Sequence, residues 1–224
     1  MNENILKLIQ EKGTTAIDVF NRSKETFEIF KSELQKMERE LKLKMMSIDP
    51  RVLVDFDDKG KLEVHLKVAN DEIVFLMQPS VFTLDENHPA MKSSYMRDDT
   101  TRNVCGMICI YNFLSDSFKF NRVLDSGLLV ARIFINKEMH FIMEGKRQMG
   151  LLFNNFPVDV VDAEKVKSII EKVVIHCLEN DTSAPAYDLM QLATVQELVN
   201  RSGQVFESGK RFGFVMQSEK GDVV

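Results

Sequence analysis

Cysteine is scarce in this chain, and the scarcity is informative. The 224 residues contain three cysteines, Cys105, Cys109 and Cys177, so any intramolecular pairing leaves one over. A secreted disulfide framework is therefore not expected, and reduced thiols in a cytoplasmic compartment are the reading. No apolar run approaches the roughly 20 residues that a membrane-spanning helix needs; the richest segment, GLLVARIFI, is interrupted by Arg132. The opening MNENILKLIQEKG is polar from its second residue and shows neither a basic leader nor a small-residue cleavage site, which argues against a secretory signal. Three Asn-x-Ser/Thr matches, at Asn21, Asn180 and Asn200, then count as chance.

Positive charge is also lacking. A formal net charge of −5 gives no overall attraction to nucleic acid or to an anionic membrane, and the basic pairs Lys146-Arg147 and Lys210-Arg211 are too small to make a phosphate track. Stacking of single-stranded nucleic acid on Tyr111, Phe118 and Phe120 is disfavoured on the same ground. What remains is a chain that is 44% hydrophobic, enough to build a core without staples.

Proline and glycine are missing from Thr14 to Asp49, and that stretch carries the most regular pattern. Residues 2–12 read as a short helix stopped by Gly13, and a long second helix follows, opened by Thr15 and Asp18 and running to about Met46. Phe20, Phe27, Leu34 and Leu41 recur every seven residues, with Ser23, Phe30, Met37 and Lys44 between them, the spacing of a coiled-coil seam. The other side of this helix mixes both charge signs, as a solvated face does.

From Arg51 the period changes to two. Val52, Val54 and Phe56, then Leu62, Val64, Leu66 and Val68, then EIVFLMQ, predict three antiparallel strands joined by tight turns. MICIYNF, SFKFNRV, LLVARIFIN, HFIMEG and MGLLF continue the series. Asp162 caps a further helix whose stripe is Val166, Ile169, Ile170, Val173, Val174 and Cys177, and residues 187–200 read as another. The expectation is an α+β fold: a long N-terminal helix, an antiparallel meander of about six to eight strands, and two C-terminal helices packed on the sheet. Residues 1–48 form the helical segment and residues 49–224 the α+β domain. The central strands are apolar on both faces, so one helix is expected on each side.

Motifs with chemistry are few. The tail Gly203 to Arg211 has too many residues between its glycines, and no Ser or Thr after Lys210, for a phosphate loop. Cys105 and Cys109 lack a second ligand pair for zinc, and His65, His88, His140 and His176 share no ligand spacing, so no metal and no cofactor is expected. Asp55, Asp57, Glu63 and Lys67 have the residue types of a Mg²⁺ nuclease but not its spacing; a wet sheet face, with His65 on it, accounts for them.

Two functional readings follow. The first is a non-catalytic adaptor or oligomeric subunit, a homodimer assembling through Phe20, Phe27, Phe30, Leu34, Met37 and Leu41 and recognising a protein partner by its sheet or long loop. The second is a small-molecule sensor or metal-dependent hydrolase with a site between the sheet and the aperiodic stretch 85–106. There His88, Asp98 and Asp99 are the candidate catalytic residues, with Arg132 or Glu144 from the strands.

Overall fold

The computed structural model describes residues 2–123, 125–145 and 147–179. The expected helix at residues 187–200 and the glycine-bearing tail lie outside them. Among the described residues the chain is α+β, with a long N-terminal helix, a seven-stranded antiparallel sheet and a helix after it.

Helix α1 spans Glu3–Ile48 without a break, 46 residues or about 69 Å at 1.5 Å per residue. The expected stop at Gly13 does not occur. A glycine inside a helix costs only about 1 kcal/mol against alanine, and the turns from Val19 onward, packed on the sheet, hold the helix from which these residues extend. Thr15 is likewise no cap: its hydroxyl donates to the Glu11 carbonyl at 2.8 Å, one turn back inside the helix. Asn2 caps instead, its side chain accepting from the Asn4 amide at 3.0 Å.

The strands are β1 (Val54–Asp58), β2 (Glu63–Val68), β3 (Asp71–Met77), β4 (Phe82–Thr83), β5 (Val104–Leu114), β6 (Leu128–Asn136) and β7 (Phe141–Gly145). They pair in the order β1-β2-β3-β5-β6-β7, a meander from which only the two-residue β4 departs, pairing with the start of β5. The aperiodic stretch is structured: 3₁₀ turns at Pro89–Lys92 and Thr100–Asn103 flank α2 (Ser94–Asp98), and β5 begins at Val104.

Two expected strands are replaced. SFKFNRV opens with α3 (Ser115–Lys119), because Ser115-Asp116-Ser117 suits a helix start better than a pleat. MGLLF opens in a 3₁₀ turn, Arg147–Leu151, and its last two residues are irregular.

The final described helix, α4 (Ala163–Glu179), buries every residue of its predicted stripe. Both long helices lie on one face of the sheet, so the expectation of one helix per face is corrected. Phe27, Phe30 and Leu34 of α1 share a single core with Val166, Ile169 and Val173 of α4 and with Leu66, Phe75, Ile108 and Ile133 of the sheet. Each such side chain contributes roughly 1.5–3 kcal/mol by leaving water. Gly106 of β5 lets α1 approach closely, for a Cβ there would overlap Ser23 Oγ and lie 2.8 Å from Ser23 Cβ. The other face is covered at one end by a smaller cluster, Leu84, Met96, Cys105, Phe134, Ile142 and Phe156. At the other end α3 lays Phe118 over His65.

Candidate functional site

The six expected assembly residues sit against the chain's own core. Phe27 and Leu34 are 0% exposed and Phe30 is 1% exposed, while Phe20, Met37 and Leu41 pack partly buried around them. A second copy could not reach Phe27 or Leu34 without opening the core. Towards its start α1 runs off the sheet: residues 2–14 are all exposed, and Val19 is the first buried residue. From Glu3 to Asp18 this arm is roughly 24 Å long. It carries Ile5 (52% exposed), Leu6 (47%), Leu8 (54%), Ile9 (65%) and Ile17 (62%). At about 100° per residue, Ile5, Ile9 and Ala16 point to the same side of the helix as Phe27, Phe30 and Leu34. The arm therefore prolongs the core-facing stripe into solvent.

The second expected site is brought together only in part. His88 Nε2 lies 3.2 Å from Glu144 Oε1, and Arg132 Nε donates to Glu144 Oε2 at 2.6 Å. His88 Nδ1 accepts from the Ala90 amide at 3.2 Å, which leaves the ring proton on Nε2, facing Glu144, and makes His88 the cap of a 3₁₀ turn. Asp98 is exposed at the end of α2 and is not part of this group. Asp99 caps the next turn, accepting from the Thr101 amide at 2.9 Å and from Lys137 Nζ at 2.6 Å. The Lys137 hydrogen bond, with those from Thr101, holds its carboxyl well below the usual carboxylate range.

A latch fixes this stretch to the β6–β7 turn. The Tyr95 hydroxyl donates to Glu138 Oε2 at 2.7 Å and accepts from Asn136 Nδ2 at 2.9 Å. Its ring stacks on His140 at 4.6 Å, with the Arg102 guanidinium 4.1 Å from the ring centroid. Burial, with the adjacent Glu138 carboxylate, pushes the phenol up to about 12, so Tyr95 stays protonated as a donor.

His65 is the residue that sequence reasoning misplaced. It is 2% exposed, with Nδ1 3.0 Å from Glu72 Oε1 and Nε2 2.7 Å from Glu63 Oε1. Two ionised carboxylates can only accept, so both ring nitrogens carry protons in a fully bonded arrangement, which is an imidazolium. Burial alone would lower its pKa, but the hydrogen bonds that the ring donates to Glu72 and Glu63 together outweigh that and leave it raised. Alternation along β2 gives no signal of this, because the cover, Phe118, belongs to a segment after β5.

An open cleft of about 390 Å³ lies between Asp18, Asn21, Arg22 and Glu25 of α1 and Lys137 and Glu138 of the β6–β7 turn. Another of about 350 Å³ is lined by residues that include Arg51, Lys67, Asn70 and Asp116. Both are lined by mixed charges, and their volumes are those of small-ligand pockets without the apolar walls such pockets usually have. Among the described residues no group of three or more His, Cys, Asp or Glu is placed to hold a metal ion, and no helix is long and apolar enough to cross a membrane. Comparison with protein-family models, with curated proteins and with solved structures gives no match for this chain.

Proposed function

We propose that the protein is a self-associating interaction subunit, in which the α+β body carries a helical arm that pairs with the arm of a second copy. One observation carries this reading: among the described residues α1 continues unbroken beyond its last contact with the body, while keeping an apolar stripe on the side that the body buries elsewhere. An arm of about 16 residues is marginal in water by itself, and among the described residues its side chains have nothing to pack against.

The magnitudes set the strength of the association. At about 100° per residue Leu8 points to the opposite side from Ile17, so one partner helix completes the burial of Ile5, Leu6, Ile9 and Ile17, worth about 1 kcal/mol each and roughly 8 kcal/mol for two arms. Association costs at least about 4 kcal/mol in lost freedom. The remainder corresponds to a dissociation constant no tighter than about 1 mM, unless the bodies also touch. The dimer is then concentration-dependent, a property suited to a subunit whose local concentration is raised by other partners.

Light scattering or sedimentation from about 1 µM to about 1 mM tests this. The expected result is a mass that rises from monomer towards dimer, and an Ile5→Glu/Ile9→Glu variant that stays monomeric with an unchanged circular dichroism spectrum. A wild-type mass that stays monomeric throughout the range would refute the proposal.

A further inference from the structure

We propose that α3 is a pH-gated cover, closed over His65 while that ring carries two protons and released when it gives one up. The proposal is independent of the helical arm and concerns the face of the sheet opposite the two long helices.

Strand register builds the site. Val64 and Leu66 of β2 face the helices, so His65 between them faces the other way, with Asp57 of β1 across from it on one side and Val74 of β3 on the other. Glu63 and Lys67 share its side of β2, Glu72 lies on the same side of β3, and Tyr111 of β5 stands beyond Val74. Lys59, from the turn after β1, pairs with Asp57 and also feels the charges of Glu72 and Glu63. From above, α3 brings Asp116 and Lys119 with Phe118. The strands thus set three carboxylates and two ammonium groups around the ring, Asp116 and Lys119 offset each other in sign, and Tyr111, its phenol pushed up by burial, stays neutral. An imidazolium balances this set. A neutral imidazole leaves it one negative charge over.

The cover is placed to respond. Ser117 and Arg122 bond to Asp125 in the loop that continues from α3, so these links move with the helix. Phe118 instead reaches the sheet, in edge contact with the His65 ring at 4.9 Å and with Phe113 at 5.3 Å. Charged, the ring donates from Nδ1 to Glu72 and from Nε2 to Glu63. Neutral, it has one proton for two carboxylates. Glu72 is buried and has no water to turn to, so it keeps that proton, and the lone pair falls on Nε2 beside the Glu63 carboxylate. A buried acceptor left without a donor is costly, and relief needs water at a ring over which Phe118 stands. Burial lowers the pKa of His65, and the hydrogen bonds to Glu72 and Glu63 more than offset it, so the cover is closed below the ordinary value near 6.5 and is released as pH rises through the higher folded value.

Proton NMR of the full chain tests this, since rings 4.9 Å apart exchange magnetisation. Cross-relaxation between the His65 and Phe118 rings is expected at about pH 6 and is lost by about pH 9, in step with the titration of the His65 ring itself, while the amides of β2 and β3 keep their positions. Glu72→Gln keeps the shape and removes the charge, so both changes are expected to move together to lower pH. A contact that survives deprotonation of His65, a contact already absent at about pH 6, or a ring still doubly protonated at about pH 9 would overturn the gate. So would collapse of the β2 and β3 signals at the same pH, which would mark global unfolding, or a transition that Glu72→Gln leaves in place.

Discussion

Truncating Leu34 to alanine separates a core role for the Phe-rich stripe from an assembly role. Leu34 is 0% exposed and packs in the cluster that joins α1 to the sheet and to α4. Removing its three terminal carbons loses their transfer free energy and leaves a cavity that a helix fixed on a sheet closes poorly. Together these cost about 2–5 kcal/mol. For a chain of this size that lowers the melting temperature by roughly 2–4 °C per kcal/mol, hence on the order of 10 °C. Ile9→Ala is the control: at 65% exposure it has little within its own chain to lose, and the change is expected to stay within about 0.5 kcal/mol. Urea unfolding followed by circular dichroism, at low micromolar protein where the monomer prevails, gives both numbers. Light scattering of the same samples at high concentration is expected to give the reverse ranking, with Ile9→Ala weakening the proposed dimer. If Leu34→Ala halved the mass and left the unfolding midpoint in place, the placement of the stripe in the core would be wrong.

Two other consequences are open to measurement. The raised pKa of His65 stabilises the fold fully below its unfolded value near 6.5, and that contribution is lost as pH rises through the folded value. Urea midpoints are therefore expected to fall from about pH 6 to about pH 9, and His65→Gln should flatten that slope; an equally steep slope in the variant would assign it to other groups. Gly106→Ala is expected to destabilise by about 1–3 kcal/mol, since the new methyl meets Ser23, and adding Ser23→Gly should return part of that loss. Simple additivity of the two changes would show that the pair does not touch.

Local pattern was enough where one element's own spacing decides its fate. The period-two runs through Val64, Leu66 and Val68 and through Ile73, Phe75 and Met77 became the helix-facing sides of β2 and β3, and the stripe from Val166 to Cys177 was buried throughout. The candidate site was less legible. Gly13 reads as a stop because glycine is a frequent helix terminator, yet a cost of about 1 kcal/mol does not break a helix whose later turns are fixed on the sheet. Of the second candidate group, His88, Arg132 and Glu144 met through strand register and a 3₁₀ turn, while Asp98 stayed in solvent and Asp99 was taken by Lys137.

By itself the sequence determined the α+β class, the antiparallel pairing and the existence of one long amphipathic helix, because periodicity and turn residues act over a few neighbouring positions. Only the tertiary structure decided that both long helices share one face, that α3 buries His65 between two glutamates, and that the first turns of α1 stay exposed. Those outcomes depend on segments far apart in the chain competing for the same surface, and the spacing within any one segment carries no record of which one wins.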